Sequence, residues 1–152
     1  MLEKHNSDSV QHRAETYHLA YNAVVYMLDV CRLLRKSEYS FEAIEYLLVA
    51  VSAMEANLIL QDAKYLDMRT KLYIELAHLY EEQEALAPAV NILQIAVEKL
   101  AELAAVHEAD PPVPEHISRI IQNNTRLLKI MLLKYRLQSG AIPAADWKKK
   151  VD

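Results

Sequence analysis

The residues best suited to chemistry are few, and none of them is paired with an activating partner by its sequence spacing. Cys31 is the only thiol in the chain, and nucleophilic catalysis would need it beside a base on a rigid turn. Cys31 instead falls on the apolar side of a predicted helix, so we expect a buried and unreactive cysteine. His78 lies next to an apolar stripe and is expected to pack or face solvent. The sequence therefore predicts no catalytic residue and a protein that is not an enzyme.

Metal and cofactor sites are also not expected. The nearest set of metal ligands is His107, Glu108, Asp110 and His116, but their spacing is irregular and forms neither His-Glu-x-x-His nor paired Cys-x-x-Cys. Gly140 is the only glycine, which excludes a glycine-rich phosphate loop. We expect no metal and no cofactor.

Nine tyrosines stand against one phenylalanine in this chain. A tyrosine can pack its ring between helices and keep its hydroxyl at the solvent rim. Rings that pack between helices are one interpretation of these residues, and a tyrosine-lined groove for a partner peptide is the other. The candidate partner-binding residues are Tyr17, Tyr21, Tyr73, Arg32 and Arg126.

Composition limits the other classes of function. The formal net charge is −4, so the chain lacks the basic field that attracts nucleic acid. The longest apolar stretch, Leu47 to Met54, is far shorter than the roughly 20 residues that cross a bilayer. A single cysteine excludes an internal disulfide and favours a reducing, cytoplasmic compartment. The expected partners are other proteins, with no nucleic acid and no membrane span.

The elements that would position these residues are helices, because apolar residues recur at intervals of three and four. Ser7 or Asp8 is expected to cap the first helix and Ser40 the second. Residues 110–114 hold three prolines and should break the helical pattern. The predicted organisation is a flexible N-terminus over 1–8, then one repeat domain over 9–152. The predicted helices span 9–35, 41–60, 64–82, 87–107 and 115–138, with a sixth that begins near Pro143.

An internal repeat relates three segments of the chain. Leu34, Tyr80 and Tyr135 serve as reference positions, 46 and 55 residues apart. Apolar or small residues recur at the same offsets around the first two references, and less completely around the third. In the first segment Val30 belongs to this apolar set. The predicted repeat positions are Met27, Cys31, Leu34, Ala43, Ala50, Tyr73, Ala77, Tyr80, Ala89, Ala96, Leu132, Tyr135 and Ala144.

These offsets resemble the tetratricopeptide repeat, in which small residues let two helices approach and large residues fill the groove between hairpins. The family period is about 34 residues, so the hairpins here are elongated. The resemblance implies an all-α, right-handed stack of about two and a half tetratricopeptide-like antiparallel hairpins over 9–61, 64–107 and 115–152. The chaperone-tail clamp of some members is disfavoured, because Arg32 and Arg126 could receive an anion but Glu75 would repel it.

The segments Tyr17 to Ala23 and Tyr73 to Tyr80 resemble the long helical hairpins of cilia- and flagella-associated proteins of the axonemal central apparatus. That resemblance implies a non-catalytic protein–protein interaction scaffold in a cilium or flagellum. A larger scaffold would then stack on the C-terminal helix. The alternative is a soluble cytosolic tetratricopeptide adaptor that binds a peptide in its concave groove.

Overall fold

The computed structural model describes residues 2–109 and 113–140, without the side chains of residues 2–15 and Leu58. Within that part of the chain the regular elements are all helical and no strand occurs, which confirms the predicted all-α class. The five α-helices of these residues are α1 (Leu2–Lys36), α2 (Ser40–Ala56), α3 (Leu66–Glu82), α4 (Leu86–Ala109) and α5 (Glu115–Gln138).

The helix ends differ from the predictions mainly in the first half of the chain. α1 begins at Leu2, so residues 2–8, expected to be flexible, are helical and neither Ser7 nor Asp8 is a cap. No proline or glycine interrupts this stretch, and a long helix can extend through such residues. Tyr39 rather than Ser40 stands at the N-cap of α2, with no side-chain cap hydrogen bond.

α2 ends at Ala56, four residues before its predicted end, and two 3₁₀ helices lead into α3. The Asn57 side chain accepts a hydrogen bond from the backbone N–H of Ile59 at 3.1 Å. That bond supports a 3₁₀ turn over Leu58–Gln61, because Asn side chains offer the backbone an alternative to continuing the α-helix. Ala63–Tyr65 forms the second 3₁₀ turn.

α5 has the predicted bounds. Pro114 precedes its first residue, and Gly140 follows its end with φ 71°, a left-handed conformation that glycine adopts without steric cost. The predicted sixth helix and Ala144 lie outside the described residues.

The chain divides into two compact units, Met1–Asp62 and Ala63–Asp152. This boundary falls between the first two predicted hairpins. Of the described helices, none is long and apolar enough to cross a membrane.

The first unit is an antiparallel hairpin of α1 and α2. The Cys31 thiol donates a 3.5 Å hydrogen bond to the carbonyl of Ala43. These residues lie at similar distances on either side of the connecting turn, which is the pairing of antiparallel helices. The core between the helices includes Val24, Leu28, Cys31, Ala43, Leu47 and Ala50, each at most 3% exposed.

The second unit packs α3, α4 and α5 together. Asn124 in the first half of α5 donates to Asp67 near the start of α3 at 2.8 Å. Lys134, further along α5, donates to Glu81 near the end of α3 at 2.8 Å. α3 and α5 therefore run parallel. α4 lies between them in the sequence and connects the end of α3 to the start of α5.

The turns after α1 and α3 repeat the same backbone geometry. Glu38 and Glu84, 46 residues apart, both take the left-handed conformation, with φ of 68° and 56°. The next N–H in each turn reaches back to a reference residue: Tyr39 to the Leu34 carbonyl at 2.9 Å, and Ala85 to the Tyr80 carbonyl at 2.8 Å. This is the 6→1 bond of a Schellman helix end. The sequence offset of 46 thus relates two structurally equivalent turns.

The predicted small repeat positions are buried. Exposure is at most 3% at Cys31, Ala43, Ala50, Ala77, Ala89 and Ala96. Tyr73, Leu132 and Tyr135 are also buried, whereas Met27, Leu34 and Tyr80 are half-buried. Small side chains at buried positions let helix backbones approach closely, which is the role expected of them.

Candidate functional site

Cys31 and His78, considered for catalysis, and His107, considered as a metal ligand, all lie on helices. Cys31 is 3% exposed and bonded to a backbone carbonyl, so its thiol is poorly placed to meet a substrate. His78 is half-buried on α3. The Nδ1 atom of His107 lies 3.0 Å from the Leu103 carbonyl oxygen, one turn earlier in its own helix. Cys31 and His107 therefore each contact a backbone carbonyl.

The structure describes only part of the set of residues considered for metal binding. Among the described residues, no three His, Cys, Asp or Glu side chains are grouped so that they could hold an ion. Asp110, one member of the predicted set, lies outside the described residues.

The predicted partner-binding residues fall in both units. Tyr17, Tyr21 and Arg32 lie on α1, where the tyrosines are half-buried and Arg32 pairs with Asp29 at 3.4 Å. In the second unit Arg126 is exposed on α5. Tyr73 is only 4% exposed, so its ring offers almost no surface to a peptide. Its burial agrees instead with its other assignment, as a repeat position.

One carboxylate of the second unit has strongly altered acidity. Glu81 accepts hydrogen bonds at Oε2 from Lys134 Nζ at 2.8 Å and Tyr135 Oη at 2.7 Å, and at Oε1 from Gln138 Nε2 at 3.0 Å. The bonds from Lys134 and Tyr135 lower the pKa of Glu81 to about 2, because they favour the charged carboxylate. A carboxylate with so low a pKa is a poor general base near neutral pH.

This cluster holds helices together and is not arranged for chemistry. Its donors all come from α5 and its acceptor from α3, and the donor Tyr135 is fully buried. Sequence reasoning placed Tyr135 in the core but missed the partner of its hydroxyl. The signal was the general one that a buried tyrosine hydroxyl needs a hydrogen-bond partner.

The largest unexplained feature is an exposed apolar row on α1, here named the α1 stripe. It consists of Leu19, Ala23, Tyr26, Val30 and Leu33, all exposed. Their spacing of four and three residues is the heptad spacing of helices that pack side by side. Exposure reaches 70% at Leu19, 72% at Tyr26, 48% at Val30 and 64% at Leu33. Soluble proteins rarely leave such continuous apolar surface uncovered unless it binds something.

The internal repeat shows what these positions do elsewhere in the chain. Tyr26, Val30 and Leu33 correspond, at the offset of 46, to three leucines of α3. These are Leu72, Leu76 and Leu79, which are 0%, 0% and 1% exposed. The same helix positions are therefore core in the second hairpin and surface in the first. Val30 belongs to the predicted apolar repeat set. Its 48% exposure shows that it is not buried within this hairpin.

α2 also exposes apolar residues, but in a broken pattern. Phe41 is 65% exposed and Val49 54% exposed, while Glu45 and Ser52 are exposed on the same side of the helix. Polar residues inside a patch reduce the apolar area that a partner can cover continuously. The α1 stripe is thus the better candidate for a protein-binding surface.

Comparison with known protein families gives a match over most of the chain. A family model described as cilia- and flagella-associated protein 54 matches residues 6–138, which covers most of the chain and includes the whole α1 stripe. The chain matched no curated protein and no protein of solved structure.

Proposed function

The chain belongs to the cilia- and flagella-associated protein 54 family, and we propose that it serves as a non-catalytic scaffold that binds other proteins in the axoneme of a cilium or flagellum. The match over residues 6–138 carries this proposal. It agrees with the resemblance of the hairpin segments to axonemal proteins, which rests on different reasoning.

Three properties of the described residues support a binding role. The Cys31 thiol is buried and bonded to the Ala43 carbonyl, and His107 contacts a carbonyl of its own helix. The Glu81 carboxylate, whose pKa is lowered, accepts three hydrogen bonds from α5. The α1 stripe offers apolar surface of the kind that helices bury against each other. A scaffold needs such a surface and does not need a reactive group.

We also propose that the hairpins are tetratricopeptide-like, with the right-handed stacking of that family between the helices of the second unit. The support is the repeated turn after α1 and α3, the buried small residues at the repeat positions, and the parallel course of α3 and α5. Successive first helices of stacked hairpins run parallel in such repeats.

Localisation in living cells tests the axonemal role. The chain is expressed with a fluorescent tag in ciliated cells, which are then extracted with detergent to leave the axonemes. The expected result is that the tagged protein lies along the axoneme and remains there after detergent extraction. It should dissociate from neighbouring proteins only at high salt. A tag that stays in the cell body, or that washes out with detergent while an axonemal marker is retained, would contradict the proposal.

A further inference from the structure

The α1 stripe has the form of one half of a helix–helix interface. Its five residues occupy consecutive heptad positions from Leu19 to Leu33, which spans about 21 Å of helix at 1.5 Å per residue. No charged residue interrupts it. The interface it would form with a matching helix resembles the packing that buries Leu72, Leu76 and Leu79 in the second unit.

The two borders of the stripe differ in chemistry. On one side lie exposed polar residues, Asn22, Asp29 and Lys36. On the other side lie Ala20, Met27 and Leu34, which are half-buried apolar residues that continue into the hairpin core. A partner helix must therefore present a polar border to the first side and an apolar border to the second.

A second copy of α1 meets this requirement in one orientation only. When two copies pack antiparallel about a two-fold axis at Tyr26, each border faces the same border of the other copy. Asp29 then lies near Asn22 of the other copy, with no like charges together, and the two Met27 residues lie near each other. A parallel arrangement would instead set Asp29 against the apolar Leu34 border, which costs desolvation of the carboxylate.

The size of the stripe suits a weak, transient dimer. Four large side chains, 48% to 72% exposed in each copy, would together remove at most roughly 1,000 Å² from water, which is below the size of stable interfaces and within the range of transient ones. Two-fold dimers are also the commonest symmetric assemblies of soluble proteins.

We propose that two copies of this chain associate through the α1 stripe, antiparallel about a two-fold axis at Tyr26. This inference rests on the proposed protein-binding role and names one partner for it. Leu19 of one copy packs near Leu33 of the other, and the Tyr26 rings meet at the axis.

Sedimentation of the full chain over a range of concentrations tests the dimer. The wild type is expected to shift from monomer to dimer in the micromolar range. Leu33→Glu, which puts a charge in the stripe, should weaken association at least tenfold. Val106→Glu is the matched control, because Val106 is 66% exposed on α4, outside the stripe, and should dimerise like the wild type. Circular dichroism checks that both variants keep their helix content.

Disulfide trapping tests the orientation. In a Cys31→Ala background, which removes the only native thiol, Tyr26→Cys should cross-link to itself on mild oxidation. Leu33→Cys alone should not, whereas the double variant Leu19→Cys/Leu33→Cys should. Efficient cross-linking of Leu33→Cys alone would indicate a parallel pair and overturn the proposed geometry.

Two results would overturn the second-copy inference altogether. One is a wild type that stays monomeric at the highest concentration reached, and the other is a dimer that Leu33→Glu leaves unchanged. If a monomeric wild type retains axonemal proteins that Leu33→Glu loses, the stripe binds a helix of another protein. In that case the proposed function stands while this inference fails.

Discussion

α1 and α3 are related by the sequence offset of 46, yet they use the corresponding positions in opposite ways. Each is followed by a turn with a left-handed glutamate, Glu38 or Glu84. α3 buries Leu76, which is 0% exposed, whereas its counterpart Val30 on α1 is 48% exposed. The difference teaches that an apolar repeat position specifies a helix–helix interface without specifying whether the same chain supplies the other helix.

The largest effect expected from this comparison is on stability. Leu76→Ala should cost about 3 kcal/mol of unfolding free energy, because it leaves a cavity in a closed core. Val30→Ala, at the equivalent position, should cost less than about 1 kcal/mol in dilute solution, where the side chain is largely hydrated. Urea unfolding followed by circular dichroism measures both.

Equal losses for the two variants would contradict the comparison. They would mean that Val30 is covered in solution within a single chain. Repeating the measurement at high protein concentration sharpens the test, since only the Val30 variant should then lose stability that association gives to the wild type.

The second effect concerns the ion pair between α3 and α5. Glu81→Gln should lower the unfolding free energy by about 1 to 2 kcal/mol at pH 7, a value discounted for solvent screening because the carboxylate is 30% exposed. Glu102→Gln, an exposed change on α4, should have little effect. Urea unfolding of both variants beside the wild type measures the difference.

The pH dependence has a definite sign. Folding lowers the pKa of Glu81 from 4.5 to about 2, so the folded state favours the charged form. The stability that Glu81 contributes is fully present above pH 4.5 and is lost as the pH falls toward about 2. The gap between wild type and Glu81→Gln should narrow over that range. A gap that is constant from pH 7 to pH 3 would show that the charge of Glu81 contributes nothing.

The sequence predicts well the features that depend on local chemistry. Both ends of α5 follow from Pro114 and Gly140, residues that stop helices by their own geometry. Burial of Ala43 and Ala89 follows from the repeat, because their small size is needed where backbones approach.

Features that depend on distant partners or on strained residues were beyond prediction. The bond from Tyr135 to Glu81 joins residues 54 apart in sequence, with no pattern linking them. The exposure of Val30 could not be predicted, because a row of apolar residues has the same sequence pattern whether or not another helix covers it. Glutamate is also rare in the left-handed conformation, so neither Glu38 nor Glu84 marks its turn.

The smallest expected effect tests whether the two turns are energetically alike as well as geometrically alike. Glu38→Gly and Glu84→Gly should each raise the unfolding free energy by about 0.5 kcal/mol. Glycine relieves the steric cost of a positive φ, and this gain exceeds the extra chain entropy that glycine adds to the unfolded state.

Lys71→Gly supplies the control for those two variants, because Lys71 is exposed inside α3. Glycine at this helical position should lower the unfolding free energy by about 1 kcal/mol. Thermal and urea unfolding of the three variants measures the differences. Equal gains at Glu38 and Glu84 would mean that the repeat extends to the energetics of the turns, so that α1 and α3 differ only in what covers them. If glycine raises the unfolding free energy at one turn and lowers it at the other, the hairpins differ in their turns as well as in the exposure of their first helices.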